Sequence, residues 1–211
     1  MIVTLTPRDL DLLETLTCRV TMLSARQAID LWWPNSKGPH RARRCLRRLA
    51  KNGLIKRYII NVHPSLPVNR PLFRWRPNMA APDAERIAAE ARARWSQPAR
   101  PTEVIVASPQ AACLMGTSTR RLPPVERRDH DLLLASVYLH YRITLPHLAG
   151  LWVGEPALPR SESGSRGFNA LLRDDSGRPL RAIQAVGRWS PDQADRFHAH
   201  CDKADLPYEL W

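Results

Sequence analysis

The sequence predicts an α+β fold in which a basic helical unit precedes a unit of mixed strands and helices. Leucines recur at helical spacing between Leu10 and Leu16. Strand-like runs rich in Ile, Val and Tyr begin near residue 54, and strand and helix signals alternate from residue 102 onward. The 211 residues suffice for one large domain or two small ones, each with a buried core.

Three helices are predicted before residue 54, and each has recognisable end signals. The first begins with Thr6 as N-cap, followed by Pro7 in the first turn. Ser24 caps the second helix, which ends before Pro34. The third helix, PHRARRCLRRLAKNG, ends at Gly53 as a C-terminal cap.

Two strands are predicted to follow these helices as a hairpin. The first is LIKRYIINV and the second is LFRWR, with a proline-punctuated loop between them. Three helices followed by a hairpin is the element order of a winged helix-turn-helix, which we expect to occupy residues 1–78. Phe73 and Trp75 alternate with arginines in the second strand, and we expect both in the core of this domain.

Residues 79–101 are predicted to connect this domain to a second one. The segment DAERIAAEARARW indicates a helix and QPARP a break, although an ordinary helix packed on either neighbour is an equal alternative. Residues 102–211 are predicted to form an α+β domain. It contains the helix HDLLLASVYLHY, the strands FNALLR and PLRAIQAVG joined by a DDSG turn, a helix capped by Ser190 and a closing strand PYELW.

Positive charge is concentrated in the N-terminal part of the chain. The sequence holds 32 Lys and Arg against 20 Asp and Glu, a net charge of +12. Residues 1–82 hold 15 basic and 4 acidic side chains, and no acidic residue occurs between Asp30 and Asp83. A field confined to one end predicts that a polyanion docks there, and nucleic acid is the commonest such partner. A surface that merely increases solubility is the alternative.

The third helix has the pattern of a DNA recognition helix. Ala42, Cys45, Leu46 and Leu49 lie on one face at spacings of three or four residues, and cationic residues surround that face. Arginine suits this role because its guanidinium can donate two hydrogen bonds to guanine or to phosphate. A solvated cationic face is the alternative interpretation.

Double-stranded DNA is therefore the predicted partner of this end of the chain. Base contacts are expected from the start of the helix, at His40, Arg41 and Arg44. Phosphate contacts are expected further along the helix and on the hairpin, which would act as a wing. The predicted DNA-binding residues are His40, Arg41, Arg43, Arg44, Arg47, Arg48 and Lys51 on the helix, and Lys56, Arg57, Arg70 and Arg74 on the hairpin and its loop.

Residues 4–77 resemble the winged-helix half of the bacterial replication-relaxation family, whose proteins are associated with plasmids and other mobile elements. The segments that carry the resemblance are LTPRDLDLLETL, RRCLRRLAKNGLIKR and PLFRWRP, and it extends loosely through VIVASPQAACLMG and HDLLLASVYL. The resemblance implies a transcriptional regulator, or an accessory factor in replication or mobilisation of such an element.

The C-terminal half resembles a nuclease-like core of the PD-(D/E)XK type. In that family an Asp on the second strand and Glu-x-Lys on the third hold and assist a divalent metal ion. The corresponding positions here are Asn169, Gln184 and Val186. The resemblance therefore implies a degenerate restriction-endonuclease-like domain, with no catalytic residues, no metal ligands and no cofactor.

A metal-dependent DNA nuclease remains the alternative function, with Asp174, Asp175 or Glu155 replacing the missing carboxylates. We expect the two aspartates to serve turn chemistry instead. His198 and Cys201 lie three residues apart on a helix, and a structural role is favoured for them because no third ligand joins them. His130 and Asp131 are expected at the start of a helix, where they would support its capping.

The sequence favours a non-enzymatic DNA-binding protein in the cytoplasm, associated with the nucleoid. No apolar run approaches the roughly 20 residues of a membrane helix, no secretory signal is apparent, and the four cysteines are scattered. A homodimer and a protein partner for the C-terminal domain are compatible with this interpretation. A third hypothesis is an interaction scaffold that does not bind DNA.

Overall fold

A computed structural model describes residues 4–34, 39–64, 68–117, 121–159 and 167–211. The structure mixes helices with strands arranged in two sheets, which confirms the predicted α+β class. The helices are α1 (Pro7–Glu14), α2 (Ala25–Trp32), α3 (Pro39–Lys51), α4 (Ala84–Ala93), α5 (Pro109–Leu114), α6 (Val125–Thr144), α7 (Pro146–Gly150) and α8 (Pro191–Lys203). The strands are β1 (Leu23–Ser24), β2 (Ile55–Val62), β3 (Phe73–Trp75), β4 (Arg100–Ala107), β5 (Trp152–Gly154), β6 (Ala170–Arg173), β7 (Pro179–Gln184) and β8 (Tyr208–Leu210).

The starts of α1 and α2 and the end of α3 lie where the sequence predicts them. The Thr6 hydroxyl accepts a hydrogen bond from the Asp9 backbone N–H at 3.2 Å, and the Asp9 carboxylate accepts one from the Thr6 N–H at 2.9 Å. Ser24 and Gln27 form the same reciprocal pair at the start of α2. Gly53 adopts a φ of +71° after α3, a conformation that favours glycine. Local signals therefore determine these boundaries.

The predicted hairpin between LIKRYIINV and LFRWR is wrong. β2 pairs antiparallel with β4 over its whole length, from Ile55 opposite Ala107 to Val62 opposite Arg100. β1 pairs with the other side of β4, which gives the sheet order β1-β4-β2. β4 matches the eight residues of β2, whereas β3 has only three. The longer strand can satisfy more of the backbone groups of β2.

Apolar residues pack on both faces of this first sheet. Ile55 belongs to the same buried cluster as Leu46 of α3, so α3 packs on the odd-numbered face of β2 at the Ile55 end, whereas Arg57, Ile59 and Asn61 on that face are exposed. Ile60 and Val106 belong to a second cluster, with Leu132 of α6, on the opposite face. α3 therefore packs on one face of the sheet, and Leu132 of α6 packs on the opposite face.

The second sheet has the strand order β3-β8-β7-β6-β5. The predicted hairpin of β6 and β7 is confirmed, and β8 lies parallel to β7. β3 pairs antiparallel with β8, so LFRWR belongs to this sheet and not to a wing. Trp75 is 1% exposed and stacks on Tyr208, with ring centroids 5.5 Å apart. Burial of this indole accounts for the location of the short strand.

The predicted connector is a helix packed on the second sheet. Ile87, Ala88 and Ala91 of α4 are fully buried, and α4 packs against α8. The chain thus leaves the first sheet after β2, contributes β3 and α4 to the second unit, and returns to the first sheet as β4. Strand pairing therefore crosses the predicted boundaries at residues 78 and 101.

α6 joins the two halves of the molecule through a common core. Its residues Leu134 and Tyr141 belong to the same buried cluster as Leu13 of α1. At its C-terminal end, the Arg142 guanidinium donates to both carboxylate oxygens of Asp11, at 2.9 and 2.5 Å. No helix in the described ranges combines the length and the apolar character that crossing a membrane requires.

Candidate nucleic-acid interface

α3 buries one apolar stripe and leaves its cationic side chains at the surface. Ala42, Leu46 and Leu49 are at most 1% exposed and pack into the N-terminal core. Spacings of four and three residues place them on one side of the helix. The exposed residues of this helix are His40, Arg41, Arg43, Arg44, Arg47, Arg48 and Lys51. The predicted division of the helix into an apolar and a cationic face is confirmed.

Most of these cations have no carboxylate partner among the residues that the structure describes. This holds for the side chains of Arg41, Arg43, Arg44, Arg47 and Lys51. The Arg47 Nε donates only to a backbone oxygen, that of Arg43, at 3.4 Å. Charges without internal neutralisation keep their full field in the adjoining solvent, and such a field attracts phosphates.

Arg48 differs because it forms an ion pair within the protein. Its Nη2 donates to Oδ2 of Asp9 at 2.5 Å, and Asp9 is only 2% exposed. The same carboxylate oxygen accepts the hydrogen bond from the Thr6 backbone at the start of α1. The pair ties α3 to the N-terminus of α1. Arg48 therefore has a structural role besides the phosphate contact predicted for it.

We expect Arg48→Ala to lower the free energy of unfolding by about 1 kcal/mol, because a half-exposed ion pair contributes about that much. Arg47→Ala removes the same charge from the same helix without breaking a pair, and should leave stability within about 0.5 kcal/mol of the parent. Urea unfolding of the two variants measures the difference. Equal losses in both would contradict the role assigned to the Arg48–Asp9 pair.

The predicted binding residues outside α3 are dispersed. Lys56 and Arg57 are exposed on β2, and Arg57 donates from Nε to Oε1 of Glu103 at 2.6 Å. Arg70 is exposed in the segment between β2 and β3. The prediction that Arg74 lies on a wing is wrong, because β3 belongs to the second sheet. The Arg74 guanidinium donates there to the buried carboxylate of Glu209.

A groove of about 660 Å³ lies between α2, α3 and the start of β4. Arg43 of α3 lines one side, and the segment 101–103 lines another. The two carboxylates in its wall already have partners, since Asp30 accepts from Arg26 at 2.7 Å and Glu103 accepts from Arg57. The acidic groups of the groove are therefore neutralised, and the Arg43 charge beside them is not.

The positions implied by the nuclease resemblance lie at the open end of the β6–β7 hairpin. The Asn169 Oδ1 accepts a hydrogen bond from the Ala185 N–H at 2.9 Å. The Asn169 N–H donates to Oε1 of Gln184 at 3.2 Å, and both side chains are 7% exposed. Val186 is fully buried in an apolar cluster. The structure thus brings the two amides together and uses them to brace the hairpin.

A charged cluster lies beside these amides. The Arg127 guanidinium donates to both carboxylate oxygens of Glu155, and its Nη2 lies 3.4 Å from Oδ1 of Asp131. The hydrogen bonds to Glu155 raise the pKa of Arg127 against the opposing effect of burial. His130 contacts Asp131 through one ring nitrogen and Asn169 through the other, each at 3.0 Å. One polar network therefore connects α6 to the hairpin.

The expected capping role of His130 and Asp131 is wrong. α6 begins at Val125, so both residues lie in its second turn. Its N-cap position is Pro124, whose side chain makes no capping hydrogen bond. Contacts across the fold, and not the end of the helix, account for the two polar residues.

The residues of this network do not fit a divalent metal ion. Neutral amides and a valine occupy the positions where the resemblance implies ligands, while Arg127 pairs with the nearby Glu155 and lies 3.4 Å from Asp131. In the described ranges, no group of three or more His, Cys, Asp and Glu side chains is placed to hold an ion. Hard cations need charged oxygen ligands to offset their dehydration.

Millimolar Mg²⁺ or Mn²⁺ should leave the melting temperature of the protein unchanged. A ligand that binds only the native state raises this temperature by mass action. Because the described ranges hold no group of residues that fits an ion, we expect no shift. Thermal unfolding in MgCl₂ or MnCl₂, compared with NaCl at equal ionic strength, measures the effect. A rise that depends on metal concentration would show that the fold holds an ion after all.

The other candidate ligands have structural partners. The Asp174 carboxylate accepts hydrogen bonds from the N–H and the hydroxyl of Ser176, at 3.0 and 2.6 Å, and these bonds lower its pKa. Cys201 is buried, which raises the pKa of its thiol to about 12. His198 contacts the Tyr208 hydroxyl at 3.1 Å. These contacts agree with the turn role predicted for Asp174 and the structural role predicted for His198 and Cys201.

One buried carboxylate was not identified from the sequence. Glu209 is 0% exposed and receives hydrogen bonds from four side chains. Arg74 and Arg181 donate to its Oε1 at 2.8 and 2.9 Å, while Tyr141 and Trp211 donate to its Oε2 at 2.5 and 3.0 Å. The cluster connects β3, β7, β8 and α6. It is a structural centre, since every oxygen of the carboxylate is occupied.

The sequence also gave no specific indication of Arg127. Its spacing of four residues from Asp131 is a helical ion-pair pattern, but that pattern occurs on many exposed helices. The partners of Glu209 come from distant parts of the chain, so no local pattern could have identified them.

Comparison with protein families, with curated proteins and with solved structures finds no match for this chain.

Proposed function

We propose that this protein binds double-stranded DNA through α3 and acts without catalysis. The observation that carries the proposal is the exposed cationic face of α3, whose arginines other than Arg48 have no carboxylate partner in the described part of the chain. Its apolar stripe packs into the N-terminal core, so the helix is held rigidly while its charged face stays open. A rigid basic helix of this kind can enter the major groove.

The arrangement around α3 supports a winged helix-turn-helix interpretation. The order is α1, β1, α2, α3, β2 and β4, with the three strands in one antiparallel sheet. In this interpretation α2 and α3 form the helix-turn-helix, and the β2–β4 pair forms the wing. The wing would differ from the predicted one in its second strand, because β3, which belongs to the other sheet, and α4 lie between β2 and β4 in the chain.

For the C-terminal unit we propose a disabled nuclease-like core that serves binding or assembly. From α6 to β8 its elements follow the order helix, short helix, strand, strand, strand, helix, strand. The pair of amides and the Arg127–Glu155 ion pair support the loss of metal chemistry. This loss of metal chemistry, together with the resemblance of residues 4–77 to the replication-relaxation family, suggests a transcriptional regulator or an accessory factor in replication or mobilisation of a bacterial mobile element.

Binding to a duplex should weaken steeply as salt increases. If about six cations contact phosphates, the affinity should fall by about a thousandfold between 50 and 200 mM salt, since each neutralised phosphate releases counterions. Fluorescence anisotropy with duplexes selected from a random pool measures this slope for the full chain. A flat response would contradict docking through a cationic helix.

The same complexes test the absence of catalysis. Supercoiled plasmid incubated with the protein and millimolar Mg²⁺ or Mn²⁺ should remain intact while binding is observed. Nicking that requires the metal would replace the proposal with the nuclease alternative, and an absence of any duplex binding would favour an interaction scaffold.

A further inference from the structure

β2 forms an open edge of the first sheet. β4 pairs with one side of it, and no described residue outside β4 hydrogen-bonds to the backbone of Ile55–Val62. In an antiparallel pair, alternate residues direct their N–H and C=O groups away from the partner strand. About half of the backbone groups of this eight-residue strand therefore point outward. An unpaired edge of this length is a template for another strand.

The centre of this edge is apolar and exposed. Ile59 is 78% exposed, the highest value among the large apolar residues of the described chain. Cations that usually discourage edge pairing are confined to one end, at Lys56 and Arg57. Arg57 is already neutralised by Glu103. The middle of the strand therefore lacks the protection that isolated edges normally have.

We propose that β2 pairs antiparallel with β2 of a second copy, about a two-fold axis that passes through Ile59. The two three-stranded sheets then form one continuous sheet. A two-fold axis perpendicular to a sheet keeps each face on its own side, so paired residues must share a face. Side chains alternate between the two faces of a strand, so two paired residues must both be odd-numbered or both be even-numbered. Their numbers then have an even sum, and the axis passes through a residue and not between two residues.

The side chains favour Ile59 as that central residue. Ile59 then contacts Ile59 of the other copy, and Arg57 lies opposite Asn61. An axis at Tyr58 would instead place the exposed Ile59 opposite Arg57. With the axis at Ile59, Lys56 lies opposite Val62, so no like charges face each other. Lys56 of one copy lies opposite Val62 of the other, six residues from the second Lys56. The two Lys56 side chains are therefore about 20 Å apart along the strands.

This pairing determines how the two copies of α3 would face DNA, a step that rests on the proposed function. The odd-numbered face of β2 carries Ile55 into the cluster that contains Leu46 of α3. Since the axis preserves faces, both copies of α3 lie on the same side of the joined sheet. The two helices can then contact one duplex, and the preferred DNA site is an inverted repeat. The proposed partner of β2 is thus a second copy of this chain.

Disulfide cross-linking tests the pairing without DNA. Ile59→Cys is made in a Cys113→Ser background, because Cys113 is exposed. Opposite residues of an antiparallel pair have Cβ atoms about 4.5–5.5 Å apart, within reach of a disulfide after small shifts. The full chain is oxidised in about 1 M NaCl, where a Debye length of about 3 Å screens repulsion between copies. We expect a covalent dimer from I59C and none from the matched variant Lys56→Cys.

Two outcomes of the cross-linking would overturn the proposal. One is a folded I59C protein that forms no covalent dimer, and the other is equal cross-linking of I59C and K56C. Sedimentation equilibrium provides a second measurement on proteins without added cysteines. In that measurement the Ile59→Lys variant should be a monomer and the Ile59→Val variant should remain a dimer. A dimer that persists in I59K would contradict pairing through the edge of β2. Because DNA is absent, a cross-linked protein that binds no duplex would refute only the proposed function.

Discussion

Replacing Arg41 and Arg44 together with alanine should weaken binding to duplex DNA by roughly thirtyfold or more. A good bidentate contact to a base contributes about 1–3 kcal/mol, so the loss of two corresponds to about 2–6 kcal/mol. Both side chains are exposed on α3, three residues apart, and lie in the half of the helix nearest its start. Fluorescence anisotropy at a fixed salt concentration measures the change.

A matched control separates this effect from a general loss of charge. Arg92→Ala with Arg196→Ala also removes two exposed helical arginines, one from α4 and one from α8. This variant should bind within a few fold of the parent, because neither helix lies beside α3. Exposed substitutions of this kind change stability by about 0.5 kcal/mol or less each, so both variants should fold. Equal losses in both variants would mean that the overall charge, and not α3, determines affinity.

Replacing Glu209 with glutamine should lower the free energy of unfolding by about 3 kcal/mol. Removing one partner from a buried ion pair leaves the other charge without compensation, which typically costs about 3–5 kcal/mol. The Arg181 side chain is 22% exposed and Arg74 is 48% exposed, so Arg74 can recover hydration and the lower end of this range applies. Urea unfolding of the full chain measures the loss.

The hydroxyl of Tyr141 strengthens this expectation. Burial, together with the negative charge of Glu209, raises the pKa of Tyr141, so its O–H remains a donor to that carboxylate. Glu90→Gln is the matched control, since Glu90 pairs with Arg86 at 2.9 Å on the exposed side of α4. We expect it to cost less than about 0.5 kcal/mol. If E209Q and E90Q unfold at the same urea concentration, the buried cluster does not stabilise the fold as described.

The mixed fold class and the amphipathic nature of α3 were predictable because both depend on short stretches of sequence. Thr6, Ser24 and Gly53 act through hydrogen bonds and backbone angles within a few residues. The hairpin of β6 and β7 forms for the same reason, since its turn residues and both strands are adjacent in the chain. The apolar stripe of α3 follows from its spacing, and its exposed arginines follow from that stripe.

Strand pairing could not be predicted in the same way. LFRWR follows LIKRYIINV in the sequence, and neighbouring strands often pair, but the partner of β2 is β4 and the partner of β3 is β8. The difference depends on contacts that only the folded chain supplies, such as Trp75 against Tyr208 and Arg74 against Glu209. A cationic residue on a strand has the same sequence pattern whether it faces a phosphate or a buried carboxylate.

By itself, the sequence determined the N-caps of α1 and α2, the end of α3, which side of α3 is apolar, and where the positive charge accumulates. Only the tertiary structure decided which strands share a sheet and which cations stay unpaired. The physical reason is the range of the interactions. Caps, turns and helical periodicity act over about four residues, whereas burial and ion pairing join residues as distant as Arg74 and Glu209.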